Sequence, residues 1–421
     1  MQRITSVQDL DIDSIPIDQF WNVGAESEQK IHRIHAYPAK FPAFITTKAL
    51  EYVKYNDFIP RKIGDVFCGC GTTAFEARRN NISFWGCDIN PVATLIARVK
   101  SETYQSSRLC RYFNSIVNSF DEITDFPKYD TALPRLKYWY SEQQYNDLSK
   151  LKSSIRYTFQ NGSKYQEFFL CAFSNILKPA SRWLSKSIKP QVDPNKTPQN
   201  VLTLFKKQCE FMFRANEENT VKNNATVLIE TKNFMDVTSG EHDIDMIITS
   251  PPYVTSYEYA DLHQLSTLWL GYETDYRQLR EGTIGSDHQH HDISETEAVL
   301  NDSGKKVVSQ LQKTVGRGKS KSVAKYYADM QKVAQNTYNI LNAGGYALFV
   351  IGNTEYKSVR IDNATHLVES MFAAGFKELQ ITKRKISNKI LTPYRDSTGK
   401  FSSNADGRKI YNEEFIILGK K

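Results

Sequence analysis

The chain has 421 residues, of which 40% are hydrophobic and 24% charged, and it carries a net charge of +7. That is the make-up of an ordinary soluble globular protein with one large domain or two. No apolar run approaches the roughly 18 residues needed to span a bilayer, and the acid-bearing start MQRITSVQDLDIDSIPIDQF lacks the apolar core of a signal peptide.

Residues 1–29 are polar and mixed, and predict an arm. IGDVF (63–67) is a short apolar run, CGCGTT follows, and AFEARRNN reads as a helix. ISFWGCD (82–88) predicts a second strand and PVATLIARVK a second helix, with Pro91 in its first turn. This β-α-β-α order with short turns predicts a parallel sheet wound with helices. Residues 101–225 change rhythm: Tyr, Ser, Lys and Asn abound, with helical periodicity near 141–179, so a largely helical insertion is expected. TVLIE (226–230) and IDMIIT (244–249) resume the strands. Residues 276–322 hold Gly, Ser, His and Lys with little apolar period and predict a long mobile basic loop. A helix over 324–341 should stop at Gly344-Gly345 before the strand YALFVIGN. HLVESMFAAGF as helix and EEFIILGK as strand close the chain. The expected domains are therefore 1–29 as arm, 30–100 with 226–421 as the main domain, and 101–225 as the insertion.

Six cysteines in a chain of this size predict reduced thiols in a cytoplasm. Lys and Arg cluster at 177–207, 305–325 and 377–400 with Ser, Thr, Tyr and Gly between them. Such clusters suit a phosphate backbone, although any single run can equally be a solvated face. HQHH at 288–291 has no accompanying acid or cysteine pattern, so no metal site is expected.

DVFCGCGTT (65–73) places Gly69 and Gly71 in the turn between the first strand and its helix. Glycine there lets the backbone approach a ligand, and the helix start offers free N–H groups. Asp88, seventeen residues beyond Gly71, ends the second strand, where an acid can hold ribose hydroxyls. The dinucleotide spacing is absent, so a nucleoside without a pyrophosphate fits better than NAD. The same residues would also serve a bare turn and the cap of the next helix.

Four stretches in this order, HAYPAKFP (35–42), DVFCGCGTT, GCDINP (86–91) and TSPPY (249–253), resemble the motifs of S-adenosylmethionine-dependent amino-methyltransferases of DNA. The Ser-Pro-Pro-Tyr form most resembles the N4-cytosine enzymes of bacterial restriction-modification systems. The match covers about 31–98 and 226–275, and more weakly 324–360 and 410–420. It departs from the family at DVFCGCG, whose second residue is often proline, and in the insertion at 101–225.

The resemblance implies a Rossmann-like class I methyltransferase sheet, α/β and mostly parallel; target recognition is assigned, as an expectation from the basic segments, to the insertion 101–225 and parts of 254–322. It implies S-adenosylmethionine as cofactor, double-stranded DNA as substrate and a separately acting endonuclease as companion. Lys40, Phe41 and Pro42 match the segment lying along the methionine end of the cofactor. Asp65, Phe67, Gly69, Gly71, Thr72 and Thr73 match the loop around its amino-acid moiety. Asp88 matches the ribose acid, and Asn90 and Pro91 flank the adenine. Asp236 in NFMDV is a candidate partner of the adenine amine, or a solvated turn acid.

An exocyclic amine is a poor nucleophile until acceptors hold its hydrogens and its nitrogen pyramidalises. Ser250 offers a hydroxyl, Pro251 and Pro252 stiffen the backbone, and Tyr253 offers a stacking ring. Tyrosine stands where a C5-cytosine enzyme would need its cysteine, so that chemistry is not expected. A paired base cannot reach this loop, so it must be flipped out, with phosphate contacts from basic segments contributing. Trp183, Lys186, Tyr257, Arg317, Lys319, Arg384 and Lys385 are the candidates for DNA contact. N6-adenine methylation needs the same loop, and a catalytically silent DNA-binding subunit is the reading from a different class.

Overall fold

The computed structural model describes residues 1–24, 27–38, 40–159, 162–219, 221, 223–237, 242–254, 259–285, 293–386, 394–395, 408–409 and 413–421. In chain order the elements begin with β1 (Gln2–Ile4), α1 (Ala43–Tyr55), β2 (Lys62–Asp65), α2 (Thr72–Arg79), β3 (Ser83–Asp88) and α3 (Pro91–Ser101). The insertion supplies α4 (Ser106–Glu122), α5 (Pro134–Trp139), α6 (Glu142–Thr158), α7 (Lys164–Ile176) and α8 (Val201–Glu218). There follow β4 (Val227–Thr231), β5 (Ile244–Thr249), α9 (Tyr259–Leu262), α10 (Gln264–Leu270), α11 (Ile293–Ala298), α12 (Asp302–Thr314) and α13 (Arg317–Ile340). Then come β6 (Leu341–Ile351), β7 (Thr354–Tyr356), β8 (Val359–Ile361), α14 (Asn363–Ala374) and β9 (Glu378–Lys385). Last are β10 (Tyr394–Arg395), β11 (Arg408–Lys409) and β12 (Glu413–Lys420).

Eight strands form one sheet in the order β1-β9-β12-β6-β5-β2-β3-β4. Strands β4, β3, β2, β5 and β6 run parallel, and β12 inserts antiparallel between β6 and β9. This is the expected doubly wound, mostly parallel α/β sheet. The winding reverses between β2 and β5, because β3 and β4 lie to one side and β6 to the other. The carboxyl ends of β2 and β5 therefore flank the crevice where open α/β sheets bind ligands.

Alternation along the strands explains why both faces are covered. Met246 and Ile248 of β5 and Leu348 and Val350 of β6 face one core, built with α1 and α2. Ile247, Ala347, Phe349 and Ile351 face the other, built with α12, α13 and α14. Side chains of period two with both sets apolar mark a sheet buried on both faces.

Three expectations need correction. Residues 1–29 are not a free arm: β1 pairs with β9, Ile17 bridges Lys383, and Trp21 is fully buried. Within 276–322, the residues of α11, α12 and the start of α13 are helical rather than loop. The Asn301 side chain caps α12 by accepting from Gly304 N at 2.9 Å, and Val307, Val308 and Leu311 bury one face. Three apolar residues suffice for that stripe, so the polar remainder hides it in the sequence. Finally, α13 ends at Ile340, and Gly344-Gly345 lie inside β6, where a Cβ on Gly345 would sit 2.7 Å from the Asp245 carbonyl oxygen.

The helical insertion is as expected in type, but it shares its core with the main domain. Leu265, Leu268 and Trp269 of α10 join α3, α6, α7 and α8 in one apolar cluster. In LHQLSTLWL (262–270), residues 264–270 are thus a helix with a core face.

Candidate active site at the carboxyl ends of β2, β3 and β5

Asp65 ends β2 and is buried, and its Oδ1 accepts from Thr249 Oγ1 at 2.6 Å and from Phe67 N at 3.2 Å. The first of these bonds ties the end of β2 to the residue preceding Ser250. Beyond it, Gly69 N donates to Asp88 Oδ2 at 2.9 Å, and Asn90 N donates to Oδ1 at 2.8 Å. Cys68 N donates to the Cys87 carbonyl at 3.0 Å, so the loop is stitched onto the end of β3. Burial pushes the carboxyls of Asp65 and Asp88 up to about 6.

Gly69 and Gly71 both have positive φ, at 48° and 74°. A Cβ on Gly71 would stand 2.6 Å from the Ala97 Cα, so the loop can lie on α3 only with glycine there. Gly71→Ala is expected to cost about 2 kcal/mol of stability through strain and overlap. A denaturant melt checks this, and an unshifted midpoint would show that α3 yields freely.

Thr72 and Thr73 are buried in the first turn of α2, and Asn90 caps α3 by accepting from Val92 N at 3.0 Å. Pro91 follows at the first helical position, as expected. The Thr72 hydroxyl and the Asn90 Nδ2 are buried without a partner among the described residues. A buried polar group left alone is costly, so these two atoms suit a polar ligand in the crevice.

The HAYPAKFP segment closes the other side. The Tyr37 ring carbons and hydroxyl lie about 3.6–3.8 Å from where a Gly69 Cβ would stand. Tyr37 also stacks on His263 at 5.0 Å and on Tyr259 at 6.4 Å between ring centroids. Lys40 donates to Glu28 Oε2 at 2.6 Å and to the His32 carbonyl at 3.0 Å. Phe41 packs against the cluster that includes Cys68, and Pro42 stands at the N-cap of α1. Phe67 meets Phe234 edge-to-face at 6.4 Å, which brings the 234–236 turn to the crevice with Asp236 exposed at its end.

At the end of β5 the Ser250 hydroxyl donates to the Val350 carbonyl at 3.0 Å. Its only hydrogen is thereby committed, which leaves the oxygen to act as an acceptor. Pro251 is buried and Pro252 half-buried. The Tyr253 hydroxyl donates to Glu414 Oε1 at 2.9 Å, and its ring lies against Gly352, where a Cβ would be 3.4 Å away. Burial and the Glu414 carboxylate hold the phenol well above its ordinary value, so it stays a neutral donor.

The candidate DNA contacts fare unevenly. Trp183 is 2% exposed and stacks on Trp139 at 5.0 Å, so it is a core residue of the insertion rather than a contact surface. Arg384 is 3% exposed and pairs with Glu414, which takes it out of reach of a phosphate. Lys186, Arg317 and Lys385 are exposed. Lys319 reaches the segment after Tyr253, donating to the Val254 carbonyl at 3.4 Å. Tyr257 and the HQHH run lie outside the described residues. Among the described residues no group of three or more His, Cys, Asp or Glu is arranged to hold a metal.

Sequence reasoning missed Thr249, Gln264 and Glu414. Thr249 was findable, since a hydroxyl just before Ser250 alternates onto the Asp65 side. Gln264 accepts from Arg135 Nε at 2.7 Å and from Trp139 Nε1 at 3.0 Å, joining the insertion to α10. No local pattern announces such a long-range contact, nor that between Glu414 and Tyr253.

No family model matches the chain. It is 23% identical over 414 residues to the Type II methyltransferase M.MvaI of Kocuria varians, covering 91% of this chain and 90% of that one. It is 30% identical over 103 residues to the Type II methyltransferase M.MjaII of Methanocaldococcus jannaschii, covering 24% and 18%. A solved structure of the rRNA methyltransferase AviRa from Streptomyces viridochromogenes aligns with a TM-score of 0.28 and 10% identity, over 93% of this chain and 90% of that one. The near full-length similarity to the first relative supports a methyltransferase.

Proposed function

We propose that the chain transfers a methyl group from S-adenosylmethionine to the N4 amine of a cytosine flipped out of double-stranded DNA, as the modifying arm of a restriction-modification system. A cognate endonuclease would act separately, and the work would be done in the bacterial cytoplasm. Among the described residues no helix is long and apolar enough to cross a membrane. The observation that carries the reading is the Ser250–Tyr253 corner, held by the Thr249–Asp65 bond beside the glycine loop and Asp88.

The bound cofactor would supply an electrophilic methyl carbon. Asp88 would accept from its ribose through lone pairs left free by the backbone amides, while Asn90, Pro91 and Asp236 would flank the adenine. Lys40, Phe41, Pro42 and the Asp65–Thr73 loop would line its amino-acid end. Ser250, its own hydrogen directed at Val350, would accept an amine hydrogen and let the nitrogen lone pair turn outward. Pro251 and Pro252 keep that backbone from relaxing away. Tyr253 would stack on the extruded base, returning about 1–3 kcal/mol against a flipping cost of a few. Exposed Lys186, Arg317 and Lys385 would add phosphate contacts, with target reading assigned to the insertion.

Serine before the two prolines favours cytosine over adenine. Methylation-sensitive sequencing of DNA from cells expressing the chain should reveal N4-methylcytosine at one recurring sequence. N6-methyladenine there would move the reading to the adenine amine. Unmodified DNA together with no cofactor binding in a titration would leave a silent DNA-binding subunit.

A further inference from the structure

We infer that Glu414 is a positioning residue for Tyr253, held in place by Arg384 across the antiparallel end of the sheet. This rests on the reading of Tyr253 as the surface for the base. Glu414 on β12 and Arg384 on β9 are direct cross-strand partners. Their side chains are 14% and 4% exposed, so the pair is largely desolvated. One carboxylate oxygen takes the guanidinium and the other takes the Tyr253 hydroxyl. The guanidinium carbon also lies 5.6 Å from the centroid of the Phe44 ring, so Arg384 is fixed from two sides.

The consequence for Tyr253 is geometric. An acceptor-only carboxylate pins the hydroxyl end, leaving the ring free to turn only about its long axis. Gly352 at the end of β6 approaches that ring and limits the turn. A buried ion pair is seldom the most stable choice for two facing strand positions, because apolar residues of like volume often do as well or better. Its presence here is accounted for by the hydroxyl it holds.

The test is single-turnover methylation with Y253F, the double variant R384M/E414M, and the triple combination. The double variant removes both charges together and so strands neither. Its rate should fall about tenfold, as expected when a stacking surface loses its orientation, with cofactor affinity unchanged and only a small drop in melting temperature from the unpartnered Tyr253 hydroxyl. The triple variant should be no slower than the worse of Y253F and R384M/E414M, because all act through one contact. A double variant as fast as the parent, or losses that multiply in the triple, would overturn the inference. If R384M/E414M does not fold, R384Q/E414Q serves in the same comparison and should show a smaller loss, since the amide oxygen at 414 still accepts and no charge is left alone. A parent protein that methylates no DNA would sink the proposed function instead. The inference is then read from the carbon-13 tyrosine ring signal lost in Y253F: an unchanged signal in the charge-free variant overturns it, and a broadened one supports it.

Discussion

Replacing Ser250 with alanine is expected to slow methyl transfer about a hundredfold, the scale on which losing one transition-state hydrogen-bonding group is felt. The hydroxyl hydrogen is spoken for by the Val350 carbonyl, so under the proposed function the oxygen would serve the amine only as an acceptor. Alanine removes that acceptor and also leaves Val350 without its donor, which should cost about 1 kcal/mol of stability. Cofactor affinity should hold, because Ser250 follows β5 while the glycine loop follows β2 and Asp88 ends β3. Single-turnover rates beside cofactor titration check this, and near-normal turnover would remove Ser250 from the chemistry.

The second large effect concerns Asp88. Asp88→Ala should weaken cofactor binding about 10- to 100-fold, since charge-assisted hydrogen bonds are worth about 1.5–3 kcal/mol and the Gly69 and Asn90 amides lose their acceptor too. The wild-type affinity should also depend on pH. Ribose hydroxyls donate, so they favour the ionised carboxylate, whose pKa burial has pushed up to about 6. Affinity should therefore be flat above that value and fall by up to about tenfold per pH unit below it. Asp88→Asn should flatten that profile. For the ligand-free fold the sign is opposite: the raised pKa of Asp65 and Asp88 stabilises the chain in acid, and this is lost as pH rises through about 6. Isothermal titration from neutral to mildly acid pH separates the two, and a pH-independent dissociation constant would refute the ribose role.

The parallel half of the sheet was legible because its signals are local. Gly71 sits where only a positive φ fits, Asp88 ends a strand, and Pro91 opens a helix. The doubled prolines likewise stop β5 where its end must stay rigid. What could not be read depends on partners far along the chain. A tryptophan between Arg182 and Leu184 looks the same whether it will meet a nucleobase or Trp139. Arg384 in a basic run gives no hint that Glu414, thirty residues on, will neutralise it in the core. The helix over 302–314 was hidden by sparse apolar positions, and the sheet role of residues 1–29 by their polar composition.

If the insertion reads the target, as proposed, the apolar cluster that α10 shares with it bears on any attempt to alter target choice. Residues 101–225 cannot be swapped as a cassette between relatives, because Trp269, Leu265 and Gln264 would be left facing a foreign surface. A graft that carries 264–270 along with the bundle keeps that seam intact. Changing only the solvent-facing side chains of the insertion leaves it untouched.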